Sequence, residues 1–226
     1  MKQRTIEELH SKLAPVCKNE KDIKLFKNYL ASYSGFLAAY ASTDEGRSAV
    51  LKLKPIFELS LFILDTVTPT RATAEVHEVT PMTQLVMNQL LFLRNTSFNR
   101  TNKLHVLTDP AFLPCLLTFM SSTTQHIRVR AYTAACLWSI LYNHQGVKAS
   151  INTPQIKSEL SLLKEEFQRQ VDISKYNVYV RERAERGNPE PTLILTQDKK
   201  HEEMANARMT EFTLIALNGI AALLDF

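Results

Sequence analysis

Glycine is scarce in this 226-residue chain: Gly35, Gly46, Gly146, Gly187 and Gly219 are all there is. Their positions exclude G-x-G-x-x-G and G-x-x-x-x-G-K, so neither kind of phosphate-cradling loop can form. The same scarcity speaks against an all-β fold full of tight turns. Cysteine is sparse too. Cys17, Cys115 and Cys136 are odd in number and far apart, which suits buried free thiols in a reducing compartment rather than a disulfide framework. There is no C-x-x-C, and Pro81 stands where the His77-Glu78 pair would need the second histidine of H-E-x-x-H; His201-Glu202-Glu203 has no partner at ligand spacing. A G-x-S-x-G elbow is missing as well. The sequence therefore offers no catalytic residue, no metal ligand set and no cofactor site. An excess of one charge is also lacking: 27 basic and 23 acidic residues leave +4, which does not by itself point to nucleic acid. No apolar run approaches the ~18 residues that span a bilayer, so no membrane partner is expected. Met1–His10 carries Arg4, Glu7 and Glu8 where a secretory leader would have an apolar core.

What is present is helical periodicity. Hydrophobic residues make up 45% and charged residues 22% of the chain, a globular composition. Thr5-Ile6-Glu7-Glu8 has the form of a capping box. Leu25, Phe26, Tyr29, Leu30, Tyr33, Phe36, Leu37 and Tyr40 recur at three and four residues, predicting a helix over Asp22–Ala41 with these side chains as its apolar face.

Pro55, Pro110 and Pro154 set a repeat frame. Each opens an amphipathic segment (Ile56–Val67, Ala111–Met120, Gln155–Gln168), as suits a residue whose missing N–H costs nothing in the first helical turn. Gly46, Asn102 and Gly146 lie eight or nine residues upstream and are expected to supply left-handed breaks between helices. The prolines are 55 and 44 residues apart. The second spacing matches the ~40–47-residue period of HEAT and armadillo units. The excess of the first is assigned to a loop at Thr68–Pro81, which lacks periodicity. Each unit then holds a short helix (Arg47–Leu53, Thr101–Leu107, Val147–Ile151), a proline-led helix and a long third helix (Pro81–Thr96, Gln125–Asn143, Asp198–Leu224). The expectation is one all-α domain over 1–226: a partial unit at 1–44, then units at 45–97, 98–143 and 144–226. Residues 176–197 are read as irregular, with a small hairpin of Tyr176–Val180 and Thr192–Leu195 as the alternative.

The strings EGRSAVLKLKPIFELSLFIL, LRNTSFNRTNKLHVLTDPAFLPCLLTFM and AACLWSILYNHQGVKASINTPQIKSEL resemble the armadillo pattern. The last, through Leu137, Trp138, Tyr142, Asn143, Val147, Lys148, Ala149 and Pro154, is similar to the C-terminal end of the rotatin family of armadillo-like proteins. That resemblance implies an armadillo/HEAT-like α-solenoid with a non-enzymatic scaffold or adaptor role. It also implies a place in the cytoskeleton at a centriole, basal body or ciliary axoneme, within a larger assembly. The implied partners are structural proteins of those organelles or microtubules, tubulin being an acidic surface. Armadillo proteins hold extended peptides with tryptophan and asparagine on the third helix. Carried over, the role falls on Trp138, Asn95 and Asn143, with Asn88 and Tyr132 on similar faces.

Two further groups enter from the residues themselves. Arg94, Arg100 and Lys103 cluster near one helix end, while Arg128 and Arg130 open the next, which keeps nucleic acid as a lesser alternative. The terminal helix is apolar nearly all round, so Leu217 and Leu224 are read either as an interface or as a face folded onto Glu159–Phe167. A peptide adaptor outside the cilium and an enzyme with a scattered site are the remaining alternatives.

Overall fold

The computed structural model describes residues 20–50, 60, 63–64, 79–107, 112–122, 125–186 and 197–226. Every regular element among them is α-helix. We number these α1 (Glu20–Tyr40), α2 (Asp44–Val50), α3 (Pro81–Thr96), α4 (Arg100–Leu107), α5 (Phe112–Ser121), α6 (Ile127–Leu141), α7 (Gln145–Ile151), α8 (Pro154–Arg186) and α9 (Gln197–Leu224). Ser60, Ile63 and Leu64 are helical and buried. The capping box at Thr5–Glu8, Cys17, His77, Pro55, Pro110, most of Ile56–Val67, residues 68–78 of the expected loop and the Thr192–Leu195 run lie outside the described residues.

The chain divides into two compact units, Met1–Val147 and Lys148–Phe226. In the first, α3 is the middle of a row, with α1 against one side and α6 against the other, and α5 packs on α6. This explains why α3 buries residues nearly all round: Leu85, Val86, Leu90, Phe92 and Leu93 alternate with the buried polar Gln89, Asn95 and Thr96. Thr80 starts α3. Its backbone is extended (φ −77°, ψ 162°), its Oγ1 accepts from the Thr83 N–H at 3.1 Å, and Pro81 fills the first turn. Ala131, Ala134, Ala135 and Cys136 line α6 with small side chains, letting large ones from α3 and α5 (Phe92, Leu116, Phe119, Met120) fill the core.

Polar side chains bridge the row at regular intervals. Asn88 Nδ2 donates to the Ala31 carbonyl at 2.7 Å, Gln89 Nε2 to Ser34 Oγ at 2.6 Å and Asn95 Nδ2 to the Ala38 carbonyl at 2.9 Å. The partners are 57, 55 and 57 residues apart. Between α3 and α6, Ser139 Oγ donates to the Arg94 carbonyl at 3.2 Å across an interval of 45 residues.

Two expectations are corrected here. The left-handed break does not fall on Gly46, Asn102 or Gly146, which lie inside α2, α4 and α7. It falls on Asn143 (φ 55°), just past α6, where asparagine tolerates the conformation. Gly46 is needed for space instead: a Cβ there would sit 1.9 Å from the Tyr40 carbonyl oxygen. The face of α1 is also different. Leu25, Tyr29 and Phe36 are 65–70% exposed, whereas Ala31, Ser34, Leu37 and Ala38 are buried. Small residues let the α1 backbone come within reach of the Asn88 and Asn95 amides.

In the second unit, α8 and α9 form an antiparallel pair. Lys157 Nζ donates to the Asp225 carbonyl at 3.3 Å and Lys175 pairs with Glu211 at 3.9 Å. Helix α8 runs unbroken to Arg186, so residues 176–186 are helical rather than irregular or β. Leu160, Leu163, Phe167 and Val171 of α8 and Leu214, Leu217, Ile220, Ala221 and Leu224 of α9 are buried. Farther along α8, Ile173, Tyr176, Val178 and Tyr179 are exposed.

Candidate binding cleft

An open cleft of about 690 Å³ lies where α3 and α6 end. Its lining comes from the end of α3 and the following turn (Arg94, Phe98), from α4 (Arg100, Lys103), from α6 (Ala135, Trp138, Ser139), from the turn after it (Tyr142, Asn143) and from the start of α7 (Gln145). Among the described lining residues three are cations, three are aromatic and none is Asp or Glu.

Local structure fixes these positions. The chain turns tightly after α3: the Ser97 N–H donates to the Leu93 carbonyl and the Phe98 N–H to the Asn95 carbonyl. This puts Phe98 outside, 57% exposed. The Arg94 guanidinium lies 5.4 Å from its ring centroid and that of Arg47 5.8 Å, both within cation–π range. Arg47 is paired with Asp44 and donates to the Ser42 carbonyl at 2.7 Å. Among the described residues no carboxylate pairs with Arg94 or Arg100. Asn102 holds α4 in place, donating from Nδ2 to the Thr96 carbonyl at 3.0 Å and the Arg47 carbonyl at 3.3 Å.

Lys103 is 4% exposed and its ammonium donates to the Tyr142 carbonyl, at the C-terminal end of α6 where a cation is favoured. Burial, and then the neighbouring Arg100 charge, push its pKa below the usual lysine value. Beneath the cleft wall the fully buried Cys136 thiol is pushed up to about 12 by loss of solvation, with the Arg94 charge opposing. Tyr142 and Asn143 are exposed past the end of α6, and Trp138 is half-buried one turn earlier. His144 caps the next helix, its Nδ1 accepting from the Val147 N–H at 3.2 Å.

Of the residues singled out in the sequence, Arg94, Trp138 and Asn143 meet here, joined by Arg100 and Lys103 from the basic cluster. Asn88 and Asn95 do not: their amides are engaged by α1, and Asn95 is buried. Tyr132 is half-buried on α6 away from the lining. Leu217 and Leu224, each 1% exposed, are buried in the second unit. Arg130 is buried, with Nε donating to the Met120 carbonyl at 2.8 Å, rather than standing in a basic ridge. Phe98, Ser139 and Gln145 carried no sequence signal, because a turn aromatic and two uncharged polar residues gain meaning only from what they face. Among the described residues, no group of three His, Cys, Asp or Glu side chains is placed to hold a metal ion.

The reading that no apolar run is long enough to cross a bilayer needs one correction. His201–Leu224 is long and apolar enough to cross a bilayer, with mean hydropathy 1.3 over its best window. In the second unit 39% of that window is buried.

No family model, curated protein or solved structure matches the chain.

Proposed function

We propose that the chain is a non-enzymatic scaffold or adaptor, built as an armadillo-like α-solenoid, whose cleft holds a segment of a partner protein. The observation that carries this reading is the convergence of Trp138, Tyr142 and Asn143 with Arg94, Arg100 and Lys103 in one cleft. The bridges at 55–57 and then 45 residues support the solenoid part, because they recur close to the proline spacings of 55 and 44. Rigid stacked helices with polar and aromatic groups at one edge suit binding of an extended chain. The resemblance to the rotatin family supplies the setting: a centriole, basal body or axoneme, with cytoskeletal proteins, tubulin included, as partners.

The test is a tagged full-length chain in ciliated cells, compared with a Trp138→Ala/Asn143→Ala variant of unchanged helix content. Wild type is expected at the basal body or axoneme and the variant dispersed. A wild-type chain that stays diffuse ends the ciliary part. A variant that localises and assembles like wild type ends the role of the cleft.

A further inference from the structure

Three surfaces stand out in the molecule. The aromatic stripe of α1 (Tyr29, Phe36, Tyr40) and the exposed side of α8 (Ile173, Tyr176, Tyr179) are apolar faces with nothing beside them to define an occupant. The cleft differs, because its own charges specify what it can take.

We infer that the cleft selects an acidic peptide segment carrying a large apolar side chain, with carboxylates on Arg94 and Arg100 and the apolar group against Trp138. This rests on the adaptor reading and names the chemistry of its ligand. The first argument is charge. Arg94, Arg100 and Lys103 line the cleft, with no acidic side chain among its described lining residues. Arg47, just outside, shows the contrast, since its guanidinium already has Asp44. The Arg94 guanidinium lies over the Phe98 ring, 5.4 Å from its centroid, and this cation–π contact uses none of the N–H groups that a planar acceptor such as a carboxylate would take. Arg100 is exposed at the start of α4. Burial, and then repulsion from Arg100, disfavours the charged form of Lys103. An incoming anion relieves that repulsion.

The second argument is size. At about 690 Å³ the cleft is in the range of drug-sized ligand sites and far larger than one inorganic anion. Phe98, Trp138 and Tyr142 give it apolar walls that a bare anion would leave in contact with water. A peptide side chain fills that space, while the Asn143 amide and the Trp138 indole N–H are donors suited to backbone carbonyls.

Trp138 is the sole tryptophan, so its emission reports on this cleft alone. The probes are a decapeptide of glutamates around two phenylalanines, counterparts with glutamine or lysine replacing every glutamate, and an oligothymidine. The glutamate peptide is expected to shift Trp138 emission saturably, less so at high salt. Arg100→Gln is expected to bind it roughly tenfold more weakly, the loss of one charge-assisted contact. Because Arg100 is exposed, that variant keeps its fold, which circular dichroism verifies. Equal binding of the glutamine or lysine peptide overturns the charge selection while leaving the adaptor reading in place. Tighter binding of the oligothymidine than of the glutamate peptide overturns it in favour of nucleic acid. No binding of any peptide, with a Trp138→Ala/Asn143→Ala chain that still localises, overturns both.

Discussion

Two side chains show how local crowding decides what a residue tolerates. Glycine to alanine in a helix normally gains stability. At Gly46 the sign reverses, because the new methyl would meet the Tyr40 carbonyl at 1.9 Å. Gly46→Ala is expected to cost about 1–3 kcal/mol by forcing α2 off the end of α1, read as a lowered denaturant midpoint. Cys136 gives a pH signature. Its folded thiol pKa of about 12 lies above the ordinary 9.0, so the native state keeps a proton that the unfolded chain gives up. The contribution is complete below pH 9.0 and declines as pH rises toward 12, by about 1.4 kcal/mol per unit. Lys103 acts oppositely. Its lowered pKa makes the folded state shed a proton first, so its penalty is present at neutral pH and fades as pH climbs toward 10.5. Stability of wild type relative to Cys136→Ala should therefore fall with alkaline pH, and relative to Lys103→Met it should rise. Denaturant titrations across that range read both slopes, and either slope with the wrong sign would refute its assignment.

Between α1 and α3 the seam is polar where an apolar one would be expected. Gln89 donates to Ser34, yet its own Oε1 is buried without a partner among the described residues. Ser34→Ala alone should cost about 1–3 kcal/mol, since it strands the whole amide. Adding Gln89→Met should recover most of that loss, and a double-mutant cycle in urea measures the coupling. No recovery would mean the seam is held by something other than this pair. The same seam shows where sequence reading succeeds and fails. The third helix of the first unit was legible to the residue at Pro81–Thr96, because Thr80 and Pro81 mark its start and the apolar pattern carries it. The inward face of α1 was not legible, because tyrosine and phenylalanine at helical spacing outweigh Ala31, Ser34 and Ala38 in any periodicity count. What decides that face is the reach of two asparagines 57 residues away. Half of the cleft was readable as a basic cluster and half as a tryptophan–asparagine group. Their union depends on Lys103 meeting the end of α6, a contact across 39 residues that no local pattern contains.

At the scale of the whole chain, two compact units meet in sequence near Val147, four residues past Asn143, where the sequence pattern placed its last unit boundary. The second unit carries an imbalance with a dynamic consequence. Helix α8 has 33 residues, roughly 50 Å of helix, but among its described side chains the last buried one is Val171. Packing free energy is thus concentrated near Leu160–Val171 and Thr210–Leu224, while the described stretch after Val171 relies on helix propensity and the Lys175–Glu211 pair. Opening therefore resembles a zip that parts from the far end. Amide hydrogen exchange should run in a gradient, slowest around Phe167 and Leu217 and fastest beyond Tyr176, with the fast end exchanging by fraying and the slow end only on unfolding of the unit. Uniform protection along α8 would mean that its outer length is clasped by something else in solution.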